Sequence, residues 1–193
     1  SQYYPASEFF YKIGDFDAIL SLPFSREYLD NQKEKYRWEF IVTIVNECPE
    51  EILCRYPFTM LVFGYHTLMN GQTQTYQKLC SLLRLAIQNE ADYGQEELRR
   101  IRGEYTLLVT LGDFNDISRM IKGHEAALNI LGEHSNMIKS DTPWLFATTS
   151  VLNMFWRESG ELENELRQID MGAGLYYKLA QGHGIGYNIL MRA

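Results

Sequence analysis

Proline, cysteine, basic charge and long apolar runs are all scarce in this chain of 193 residues, and each shortage excludes something. Five prolines leave long stretches free to be helical. The three cysteines, Cys48, Cys54 and Cys80, are an odd number, and the first two match no common zinc-ligand spacing. Reduced, partly buried thiols in a cytoplasmic protein are therefore expected. No run nears the ~18 apolar residues of a membrane span, so no membrane contact is expected. The beginning, Ser1-Gln2-Tyr3-Tyr4-Pro5, has neither the basic nor the apolar segment of a signal peptide. Bases are outnumbered 18 to 25, for a net charge of −7, which argues against nucleic-acid binding by this stretch through phosphate contacts.

Catalytic motifs are also missing. No serine or cysteine stands in a nucleophile elbow. The four histidines, His66, His124, His134 and His183, share no metal-ligand spacing. Gly182-His183-Gly184-Ile185-Gly186 has neither the glycine spacing of a dinucleotide fingerprint nor the lysine of a phosphate loop, and reads as a turn between helices. Acidic groups such as Glu96-Glu97 and Glu161/Glu163/Glu165 stand where helices start, which suits the helix dipole. The expectation is a non-enzymatic chain with no metal and no cofactor.

What is present is repetition. Gly14-Asp15-Phe16-Asp17-Ala18-Ile19 returns as Gly112-Asp113-Phe114-Asn115-Asp116-Ile117, identical at four of six positions, with looser echoes at Asn70-Gly71 and Ser159-Gly160. Glycine ends one helix in the left-handed conformation and aspartate caps the next, so such a unit points to stacked helical hairpins. The length suits four to five of them.

Around these turns the apolar residues fall at helical spacing. Leu98, Ile101, Tyr105 and Leu108 share one face of a helix that ends at Gly112. Ile117, Ile121, His124, Leu128 and Leu131 follow in a second, closed by Gly132. The preceding pair is expected over 58–69 and 73–89. The following pair opens at Pro143 behind Asp141 or Thr142 and turns at Gly160. Residues 1–57 are less regular, with helices expected over 34–45 and 49–55. The fold expected is all-α, one continuous domain over residues 1–193, with stacked antiparallel hairpins forming a tetratricopeptide-like right-handed superhelix. Turn glycines at 71, 112 and 160 give intervals of 41 and 48 residues, longer than the tetratricopeptide unit.

Such arrays present a concave groove lined by the first helices of successive hairpins. Offsets from the turn glycines put Tyr65, Arg99, Arg102 and Arg157 there. A flat ring and fixed guanidinium donors would suit an anionic or carbohydrate-like ligand. The plainer reading is solvated charge on a helix face.

Tyr11-Lys12-Ile13-Gly14-Asp15-Phe16-Asp17 looks like a degenerate tetratricopeptide turn. The stretch from Lys178 through Gly182-His183-Gly184 to Ala193 resembles a passage in the helical sensor region of bacterial LuxR-family, MalT-like transcriptional regulators. The resemblance extends from about Pro57 onward and more weakly before it. It implies a region that senses an inducer, a small molecule or carbohydrate, or a peptide, and relays it to a flanking ATPase and a helix-turn-helix domain of the same protein. Neither a phosphate loop nor a basic recognition helix occurs here, so the chain is expected to be the sensor piece of a longer regulator. Its last repeat is expected to be unfinished and able to self-associate. The competing readings are a generic tetratricopeptide-like adaptor and a helical accessory domain of a larger enzyme.

Overall fold

Aspartate caps two helices, at Asp15 and Asp116, and Gly132 closes one in the computed structural model, which describes residues 3–24, 37–89, 93–113, 116–138, 140 and 160–190. Among them are ten helices and no strand. In chain order these are α1 Tyr3–Lys12, α2 Phe16–Leu20, α3 Arg37–Glu47, α4 Glu50–Leu53, α5 Pro57–Met69, α6 Thr73–Gln88, α7 Gln95–Leu111, α8 Ile117–Leu131, α9 Leu162–Leu179 and α10 Tyr187–Leu190. The all-helical expectation holds. Helices expected over 58–69 and 73–89 are found within a residue at either end. The helix opening at Pro143 and its caps lie outside the described residues.

The chain divides into two compact units, Ser1–Gly94 and Gln95–Ala193. In the first, α5 and α6 pair across the short turn at Asn70-Gly71, where Gly71 has φ 67°. Helix α3 packs on both, and its stretch Ile41–Val45 is β-branched at every position. Such residues lose side-chain freedom in a helix and favour strand. Burial overrides that preference, because Ile41, Ile44 and Val45 are fully enclosed. Asp17 of α2 accepts hydrogen bonds from Arg55 Nη2 and the Tyr56 hydroxyl, each at 3.0 Å. The buried Thr59 hydroxyl donates to the Leu20 carbonyl at 2.9 Å, tying α2 to α5.

In the second unit α7 and α8 form an antiparallel hairpin. Gly103 faces Leu131 while Gly123 faces Thr110, so one helix rises as the other falls. Both glycines are needed for this approach, since a Cβ on either would collide with the facing side chain. Helix α9 packs on α8 in a different sense. Gly172 meets Ile121 and Tyr176 meets His124, so α9 runs in the same direction as α8 at an offset of 51 to 52 residues. Leu107, Ala127, Leu131, Ile169, Ala173 and Leu179 form the core of this unit.

The two copies of the spelled turn cap their helices differently. Gly14 has φ 72°, and Asp15 Oδ1 accepts from Ala18 N at 2.9 Å, the expected cap. In the second copy Gly112 is not among the described left-handed glycines, and the cap is Asp116, which accepts from Arg119 N at 3.0 Å. Asp113 instead pairs with Arg119 Nε at 3.0 Å. Asparagine in place of the fourth residue and aspartate in place of alanine move the capping carboxylate three positions on. Gly132 closes α8 at φ 69°, as its sequence position implies.

Candidate functional site

The polar chemistry of the second unit lies where α8, α9 and α10 meet. The Gly182–Gly186 segment is a turn between helices, with φ of 82°, 67° and 90° at Gly182, Gly184 and Gly186. These values lie in the region that side chains with a Cβ rarely adopt. The turn carries His183 back to α9, where its Nδ1 lies 2.8 Å from the Tyr176 hydroxyl. Tyr177, the next residue on α9, donates to Asn188 Oδ1 at 2.9 Å and accepts from Gly186 N at 2.9 Å. Asn188 in turn donates to Asp170 at 3.1 Å. Tyr187 stacks edge-on against Tyr176 and Tyr177, with ring centres 6.0 and 5.7 Å away. Adjacent tyrosines thus hold the glycine-rich turn from two sides.

On the other side of Tyr176 stands His124, with ring centres 5.3 Å apart. His124 is 5% exposed, and burial pulls its imidazole down to about 4, so the ring is neutral at pH 7. His124, Tyr176, His183, Tyr187 and Tyr177 are therefore one packed cluster of rings.

A second buried polar group sits at the far end of α8. Glu104 is 2% exposed and accepts from the Ser135 hydroxyl at 2.6 Å and from Asn136 N at 2.7 Å. Ser135 N donates to the Leu179 carbonyl at 2.8 Å, and the Gln181 amide donates to the Ser135 carbonyl at 2.9 Å. The loop after α8 is thereby fastened to both α7 and the end of α9. Burial raises the Glu104 carboxyl above its ordinary range, while the two donors pull it back. Burial likewise raises the thiols; Cys48 is pushed up to about 11, which removes its nucleophilic thiolate at neutral pH. Cys48, Cys54 and Cys80 are all unlinked.

The residues assigned to a groove are placed as follows. Tyr65 belongs to α5 in the first unit, where it is 7% exposed and edge-on to His66. Arg99 and Arg102 stand one turn apart on α7 in the second unit. Arg99 gives Nε and Nη2 to Glu96 and Nη1 to the Ile130 carbonyl at 3.0 Å, at the end of α8. Three of its donors thus serve the hairpin itself. Arg102 is half-buried. Arg157 lies outside the described residues. The two arginines on α7 share a helix side, while Tyr65 belongs to the other unit.

Sequence reasoning passed over Glu104 and placed Tyr105 on the core face. Glu104 is buried there and Tyr105 is half-buried. The spacing of Ile101, Glu104 and Leu108 puts the carboxylate on the apolar stripe, a signal available from the sequence. No protein-family model, curated protein or solved structure matches the chain.

Proposed function

We propose that this chain is a non-enzymatic sensor and interaction module of a bacterial LuxR-family, MalT-like transcriptional regulator, with its hairpins arranged as a tetratricopeptide-like right-handed superhelix. The observation that carries this reading is the relation of α8 to α9. Equivalent helices of successive hairpins in an array run in one direction at a fixed offset, and these two do so at 51 to 52 residues. The glycine-rich turn on which the family resemblance rests is held by Tyr176 and Tyr177, which fits a segment selected for its shape. Met171, Ile185 and Ile189 are 73%, 74% and 70% exposed, and apolar side chains so exposed support contact with a further hairpin or a second copy.

The inducer of such a module is a small molecule, a carbohydrate or a peptide. Of the groove residues, Arg102 stands half-buried on α7, and its replacement tests this. The test is a thermal-shift screen against oligosaccharides, small carboxylates and short peptides. A ligand at 100 times its Kd stabilises by about 2.7 kcal/mol, a rise of roughly 5–10 °C for a domain of this size. A rise with a sugar or small anion that Arg102→Ala abolishes, with an unchanged helical spectrum, supports the sensor reading. A response confined to peptides favours the adaptor reading instead.

A further inference from the structure

Between α8 and α9 lies a cavity of about 20 Å³, walled by Ile117, Ile121, His124, Gln168, Gly172 and Tyr176. Two polar atoms of its walls, His124 Nε2 and Gln168 Oε1, are buried and have no hydrogen-bond partner among the described residues. One such orphan costs about 1–3 kcal/mol, so two on one cavity imply a shared partner. Both atoms are acceptors when the neutral imidazole carries its proton on Nδ1. A partner of that tautomer donates twice.

Its size and charge are also constrained. A cavity needs roughly 10–15 Å³ to hold one water molecule, and this one has room for a single molecule of that size. No ionised side chain lines the cavity, so neither an anion nor a cation finds a counter-charge there.

We propose that this cavity is a specific site for one buried water molecule, which donates one O–H to His124 Nε2 and the other to Gln168 Oε1 and so ties α8 to α9. Gly172 packs against Ile121 on the wall of the site. It fixes the His124 tautomer, since only Nε2 free of hydrogen can accept.

A crystal structure that resolves ordered solvent tests this directly. One density peak about 2.7–3.2 Å from both atoms is expected. A Gln168 amide turned so that its Nε2 donates straight to His124, with no density between, would overturn the proposal. In solution, a long-lived water should give a cross-relaxation peak to the His124 ring proton between its nitrogens. That peak should disappear in Gln168→Met, which keeps the length and removes the acceptor. Persistence of the peak in the variant would contradict the bridge. Should Gln168→Met fail to fold, the solvent density of the unaltered chain decides alone.

Discussion

Gly172 of α9 lies so close to Ile121 of α8 that a Cβ placed on it would stand 2.7 Å from Ile121 Cγ1. Two residues further on, Gly174 has nothing within 4 Å of the same position. Both are interior to one helix, so intrinsic propensity treats them alike and packing separates them. Gly174→Ala should stabilise the chain by about 0.5–1 kcal/mol through backbone entropy and helix propensity. Gly172→Ala should destabilise by about 1–3 kcal/mol, because the stiff β-branched Ile121 has little room to yield. Urea denaturation of the two variants checks this; shifts of the same sign would contradict the α8–α9 contact.

The buried imidazole gives a pH dependence of defined sign. The His124 pKa is depressed on folding, from 6.5 to about 4. Its neutral form is stable in both states above pH 6.5. As pH falls from there toward 4, the unfolded chain takes up a proton that the folded chain does not, and stability is lost. Between pH 7 and pH 5 this amounts to about 2 kcal/mol by linkage. Glu104 acts in the opposite sense: its raised pKa makes its contribution largest at low pH and smaller as pH rises through the folded value. The difference between the native chain and His124→Phe isolates the histidine. The native protein should lose about 2 kcal/mol more than the variant over that interval, measured by urea midpoints. Parallel losses would show that His124 is not held neutral.

The two copies of the repeated turn should respond differently to the same substitution. Asp116 caps α8, so Asp116→Ala should cost about 1 kcal/mol. Asp113 forms an ion pair with Arg119, whose side chain is 68% exposed, and Asp113→Ala should cost well under about 1 kcal/mol. Chemical denaturation of both variants compares them; a larger loss at Asp113 would restore the turn geometry that the spelling suggests.

These cases show what was legible in the sequence. Apolar spacing located α6 to α8 closely, because each carries an apolar stripe, and α5 was marked by its apolar composition between Pro57 and the Asn70-Gly71 turn. Repetition of six residues located a turn but misassigned its cap, since glycine and aspartate can serve helix ends at several offsets. The helix expected over 34–45 is found as Arg37–Glu47, although the run Ile41–Val45 favours strand by propensity and is held helical by burial. His124 was legible as a core position, whereas its contact with Tyr176 and the shared cavity with Gln168 were not. Those pairings depend on the direction in which α9 crosses α8, and helical periodicity carries no information about direction. The arginines were read from one offset rule, which takes no account of neighbours such as Glu96 and Ile130 that already engage Arg99.

The central claim is that the chain is the sensor piece of a MalT-like regulator. Sequencing the intact gene on either side of Ser1 and Ala193 tests it most directly. The account predicts a nucleotide-binding domain with a phosphate loop upstream and a basic helix-turn-helix downstream, joined to this stretch in one reading frame. Catalytic motifs of a hydrolase or kinase in those flanks would contradict it and make the chain an accessory domain of an enzyme.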